Sequence, residues 1–219
     1  MNKKLIIYIT FIFLIVGCNN IKNEAEIKGT KVEKTDVISD QVVPNQKLNK
    51  EQQIASALFA APLEAREGAM VYGYDKDGNF VILREGHNEI ICIADDPNKD
   101  GFEVVSYHNQ LEPYMARGRE LKETGKSHTE RRDIREKEAI EKSLAMPKNP
   151  STLHILYGKN GLFDIDSSKV RNVKYRYVVY IPFATQASTG LSLSPNAPGH
   201  PWLMFPGKAN AHIMISPKD

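Results

Sequence analysis

The sequence predicts an α+β domain: a mostly antiparallel sheet with two or three helices, forming a single domain behind a flexible tether. Three observations predict it. Short runs rich in Val, Ile and Tyr, several with period-two alternation, occupy both halves of the chain, and two helical segments lie between them. Strands, then helices, then strands is the order of segregated α+β folds, not of alternating parallel units. Apolar residues at 41% and charged residues at 26% of 219 positions suffice for one core without disulfides.

The first 17 residues are set apart from this domain. In MNKKLIIYITFIFLIVG, Lys3 and Lys4 precede a twelve-residue apolar run, residues 5–16. Crossing a hydrocarbon core of about 30 Å takes about 20 helical residues, so the run reads as an export signal and not as an anchor. Ile15-Val16-Gly17-Cys18 resembles the lipobox of bacterial lipoproteins, in which a small residue precedes the cysteine. The resemblance implies cleavage after Gly17, diacylglycerol on the Cys18 sulfur and acylation of the new amino group. The expected product is exported and held on a bacterial membrane, periplasmic or at the cell surface, without spanning it. Residues 18–48 comprise that lipidated cysteine and a polar stretch without an aromatic residue, expected to be a flexible tether. A coil of this length reaches on the order of 30 Å, enough to lift a domain off the headgroups.

Residues 49–219 form the expected domain. NKEQQIASALFAA reads as a helix, with Ile54, Leu58 and Ala61 in phase and Asn49 and Gln52 at capping-box spacing. Pro62 stops it or opens a short second turn, and Gly68 is the expected C-terminal cap. AMVYGYDKDGNFVILREG reads as a hairpin about Asp77-Gly78. NEIICIAD and FEVVSYH follow as third and fourth strands, which predicts an antiparallel meander. Leu111, Tyr114, Met115 and Leu121 share one face of a helix that starts within residues 109–112, since Pro113 fits only a first turn, and ends at Gly125. Ser127 and Glu130 cap another helix running to about Leu144, of which only Ile134, Ala139, Ile140 and Leu144 are expected to face a core. Its charges read as a solvated surface. TLHILYG, VKYRYVVYIPFA and AHIMI complete the strands, with Pro182 placing the second of these at a sheet edge or bulge.

Composition excludes some function classes. Without Lys3 and Lys4 the basic residues number 27, equal to the 27 acidic ones, so the net charge gives no electrostatic case for nucleic acid. Cys92, alone once Cys18 is lipidated, reads as a buried small hydrophobe. Asp96, Asn98, Asp100 and Gly101 fit half of a calcium loop, but Tyr107 stands where its bidentate acid belongs, so a plain turn is expected. None of the six histidines has metal-ligand spacing, and no nucleophile elbow or phosphate-cradling glycine loop occurs. Glu85, Asp95 and Asp96 are the carboxylates available for acid–base work, and Arg117 and Arg119 the cations available to an anion.

Residues 185–209 lack periodicity yet hold four prolines and Trp202, Leu203, Met204 and Phe205. Such apolar bulk predicts an ordered flap packed on the sheet, walling either core or a cleft. His108, Arg117, His200, Trp202 and His212 are the candidate cleft residues; cofactor, metal and catalytic residues are left undetermined by the sequence. The stretches VILREGHNEIICIADDP and GHPWLMFPGKANAHIMI are similar to a group of uncharacterised secreted bacterial proteins, which implies that they lie close together. The leading functional expectation is an envelope lipoprotein that binds a small-molecule or protein ligand. The alternative is an envelope hydrolase, metal-dependent in one form, using His108 or His212. Cys18→Ser is expected to move the protein from the membrane pellet to the soluble fraction; retention in the pellet after a salt wash would contradict lipid anchoring.

Overall fold

The structure, a computed structural model, describes residues 46–217; the signal segment, Cys18 and the tether up to residue 45 lie outside it. Helix α1 (Lys50–Ala57) starts at the expected capping box: Asn49 Oδ1 accepts from the Gln52 amide at 2.9 Å, and Gln52 Oε1 accepts from the Asn49 amide at 3.0 Å. Two 3-10 turns follow, Leu58–Ala60 and Leu63–Ala65, the second beyond Pro62. Strands β1 (Met70–Tyr74), β2 (Phe80–Arg84), β3 (Ile90–Ile93) and β4 (Phe102–His108) lead to helices α2 (Glu112–Glu123) and α3 (His128–Ile140). Then come β5 (Ser151–Gly158), the short ribbon β6 (Leu162–Asp164) and β7 (Lys169–Arg171), and β8 (Lys174–Tyr180). A four-residue helix α4 (Gln186–Thr189), β9 (Trp202–Met204) and β10 (His212–Ile215) close the domain. The fold is α+β, with four helices and an eight-stranded sheet ordered β2-β1-β3-β4-β5-β8-β10-β9 among the described residues. No helix among the described residues is long and apolar enough to cross a membrane.

Every pairing in this sheet is antiparallel except β1 with β3, where Val71 lies beside Cys92. The first half is therefore not a meander. The connection after β2 turns back across the start of β1, so β3 joins the far side of β1. Gly86 makes this crossing possible, because a β-carbon there would drive into the Met70 backbone. The His87 and Asn88 amides then bond to the Gly68 carbonyl at 2.8 and 3.2 Å. Gly68 thus serves as an acceptor here and not as a left-handed helix cap.

Alternation gives the sheet two buried faces. On one, Ile91, Tyr107, Leu153 and Val178 align across β3, β4, β5 and β8 and bury together with Leu111. Helices α2 and α3 cover this face. On the other, α1 and its 3-10 turn bury Ala57, Ala60 and Ala61 against Val71, Cys92 and Val104. Gln53 ties α1 to the end of β1, donating to the Tyr74 carbonyl at 3.0 Å and accepting from its amide at 2.9 Å. Gln46 and Leu48 already belong to the domain: Gln46 Oε1 accepts from the Phe163 amide, and Leu48 packs near Phe102.

Two expectations about the C-terminal region are corrected. Trp202 does not sit within a flap; Trp202–Met204 is the edge strand β9, pairing with β10 so that Trp202 stands opposite Met214. A strand of three residues, set within the four between Pro201 and Pro206, is too short to register as alternation. The two stretches expected to be neighbours are also apart: β4, β5 and β8 separate β3 from β10. Gly86→Ala is predicted to destabilise the domain by about 1–3 kcal/mol through this backbone clash, read as a lower urea midpoint; an unchanged midpoint would show that the crossing yields.

Candidate functional site

Helix α2 runs back across the sheet from the end of β4, and α3 returns beside it. Arg117 joins the two: its Nε donates to both Glu138 carboxylate oxygens at 3.0 Å, its Nη2 to Oε1 at 2.6 Å, and its Nη1 to Glu120 at 3.0 Å. At the loop end of this helical hairpin the helices stand off the sheet. A cleft of about 900 Å³ opens there, within the size range of small-molecule sites. Val105 and Tyr107 of β4 and Leu153 and Ile155 of β5 form its floor. Met115, Gly118, Arg119 and Lys122 of α2 and Arg131 and Arg135 of α3 form its roof, and Tyr74, Asp95, Asp96 and Glu103 its open rim. An adjoining depression of about 860 Å³ shares Tyr74 and Asp95 and is walled on its other side by residues 46–50.

The wall nearest β1 is built by one network. The Tyr107 hydroxyl, on a side chain only 2% exposed, donates to Glu112 Oε2 at 2.5 Å. Arg119 donates to the same Tyr107 oxygen at 3.2 Å and to Glu112 Oε1 at 2.5 Å. Its guanidinium also lies 5.3 Å from the Tyr72 ring centre and 5.2 Å from that of Phe80, within cation–π range. Burial, with the Glu112 carboxylate, pushes the Tyr107 hydroxyl well above its usual range, so it stays a donor. At the rim, Asp96 is buried and sits 3.7 Å from Lys122 and 4.0 Å from Lys99, while the Tyr74 hydroxyl bonds to it. Asp95 Oδ1 accepts from the Glu103 amide at 2.8 Å.

The α3 side differs. The Arg135 guanidinium lies 3.9 Å from the Tyr114 ring centre; its Nη1 donates to the Tyr114 carbonyl at 3.0 Å and its Nε to the Arg131 carbonyl at 3.1 Å. Arg131 Nη1 donates to the Gly118 carbonyl at 3.3 Å, and its Nε is buried without a hydrogen-bond partner. Burial draws the Arg135 guanidinium below its ordinary value, opposed by Tyr114, Tyr180 and the Glu138 carboxylate and reinforced by the neighbouring Arg131 charge.

The residues expected to form a cleft do not converge. Arg117 is spent on Glu138 and Glu120. His108, the last residue of β4, caps the following 3-10 turn by accepting from the Gln110 amide at 3.2 Å. His212 lies on the opposite face and three strands away, buried between Tyr180 and Phe205 with its Nδ1 2.7 Å from the Asn210 carbonyl. Trp202 shares that face at the sheet edge, and His200 is exposed in the segment before it. None of the five lines the cleft. Asp96 heads a plain turn, its Oδ1 accepting from the Asn98 amide, and no group of three His, Cys, Asp or Glu among the described residues is placed to hold a metal. Cys92 is fully buried, which pushes its thiol up to about 12.

Sequence reasoning missed Arg131, Arg135 and Tyr107. Of the four α3 residues expected to face the core, Ala139 is buried but Ile140 is 61% exposed. Stepping back from Ala139 by four and eight gives Arg135 and Arg131, so the phase was available once Ala139 was fixed.

No family model matches this chain, and neither a curated protein nor a solved structure is significantly similar to it.

Burial raises the Asp95 carboxyl from its ordinary 3.8 to about 6, partly offset by the Glu103 amide. The native state therefore holds this proton more tightly than the unfolded chain, and stability falls as pH rises across that window. Asp95→Asn, which retains the acceptor for Glu103, is predicted to remove this fall and to raise stability at pH 7 by about 1–2 kcal/mol, solvent screening of the half-buried group limiting the gain. Parallel denaturation curves for both proteins from pH 4 to pH 7 would count against it.

Proposed function

We propose that this chain is a membrane-anchored cell-envelope lipoprotein whose α+β domain binds a small molecule in the cleft between the α2–α3 hairpin and the sheet. The anchoring half of this reading is supported by the lipobox-like residues 15–18. The binding half is carried by one observation: an apolar floor of Val105, Leu153 and Ile155 bordered by charged side chains from two helices and by the tyrosines of β1 and β4. Such a combination supplies affinity through burial and orientation through a few polar contacts. A hydrolase using His108 or His212 gains nothing from the geometry, because the two histidines lie on opposite faces of the sheet and outside the cleft.

The expected behaviour is that of a binding protein. Within a panel of soluble metabolites, a ligand at about a hundred times its Kd should stabilise the detergent-purified full chain by about 2.7 kcal/mol. Val105→Phe, which fills the floor, is expected to abolish that stabilisation. A ligand that stabilises both proteins equally binds elsewhere and overturns the assignment of the cleft.

A further inference from the structure

We infer that the cleft grips a small oxyanion, the phosphate or carboxylate group of a soluble molecule, between Arg131 and Arg135; this rests on the cleft being the ligand site. The residues in phase on the underside of α3 are Arg131, Arg135 and Ala139. A helix laid on a sheet ordinarily buries apolar side chains there. Two guanidinium groups stand in their place, and neither has a carboxylate within 4.0 Å among the described residues. Unpaired buried charge is costly, and the two cations also repel each other. The free donors are specific: Nη2 of each arginine and Nε of Arg131 donate to no protein group among the described residues. The Nε–Nη2 edge of Arg131 and the Nη2 group of Arg135 keep spare N–H groups, which match the acceptor oxygens of an oxyanion.

Neighbouring arginines provide the contrast. Arg117 and Arg119 come from the same helical hairpin, but each is closed by carboxylates, Glu138 and Glu120 for one and Glu112 for the other. Gly118 adds a second line of support. Glycine within a helix costs about 1 kcal/mol relative to alanine. A β-carbon at this position would stand 2.8 Å from Arg135 Nη1 and 3.1 Å from its Cζ. The missing side chain leaves room for the guanidinium where it now lies. A soluble oxyanion fits better than a lipid headgroup, because both arginines are half-buried beneath α3 and not displayed on an outer surface.

The test uses the detergent-purified full chain with inorganic phosphate, pyrophosphate and citrate at fixed ionic strength, by calorimetric titration and thermal melting. At least one of the three should bind saturably and raise Tm. Arg131→Gln and Arg135→Gln should each weaken that binding about tenfold or more, whereas Lys137→Gln on the exposed side of α3 should not. Gly118→Ala should weaken binding while leaving the Tm of the free protein unchanged or higher, a combination that a merely structural arginine would not give. The inference is overturned if none of the three anions binds saturably, or if the arginine variants bind as tightly as the unsubstituted chain. It is also overturned if the arginines matter only for sedimentation of the Cys18→Ser protein with phosphatidylglycerol vesicles, which would put the anion on a lipid. A Val105→Phe-sensitive ligand without negative charge, bound equally by the arginine variants, would refute the oxyanion and leave the ligand cleft standing. If no ligand responds to Val105→Phe, both readings fall.

Discussion

The arrangement above the sheet depends on one hydrogen bond, from the Tyr107 hydroxyl to Glu112. Tyr107 stands on β4, a central strand, and Glu112 is the first residue of α2. A buried hydroxyl without a partner costs about 1–3 kcal/mol, so the carboxylate is held where that hydroxyl needs it. Arg119, two turns along α2, closes onto the same pair. The helix is thereby fixed at its start and near its middle. Arg117 then carries α3, so the height of the cleft roof follows from a tyrosine in its floor.

The parts legible in the sequence were those governed by local chemistry. Both capping boxes, at Asn49 and Ser127, and the Asp77-Gly78 hairpin involve groups at most four residues apart, and they form as expected. Strands of four or more residues declared themselves through branched and aromatic runs, whereas β6, β7 and β9, of three residues each, did not. Sheet order was hidden for a different reason. Whether β3 lies beside β2 or beside β1 is decided by how Gly86 passes Met70, a contact that periodicity does not encode. The candidate site failed similarly: histidines drew attention by their chemistry, yet His108 and His212 answer local backbone groups, while the cleft is lined by arginines concealed in a charged helix.

Helix α3 shows how such a helix stays in place with little apolar surface. It has a capped start, a Glu138 clamp to α2, and Glu136, whose carboxylate accepts from the Ala209 amide at 2.7 Å and lies 4.0 Å from Lys208. Arg132 also covers the Phe205 ring. These ties lie along both sides of the helix, and of the residues in phase on its underside only Ala139 is buried in the core. Anchorage from the sides is what permits arginines to face the sheet.

The edge strand β9 carries one further consequence. Its Leu203 amide, which would otherwise point outward, donates to the Ser192 carbonyl at 2.9 Å, so the preceding loop occupies the bonding position of a ninth strand. At the opposite end, no strand among the described residues lies beyond β2. Among the described residues the sheet is thus directional as a template: a further strand meets a backbone position already occupied at the β9 end and none occupied by a strand at the β2 end.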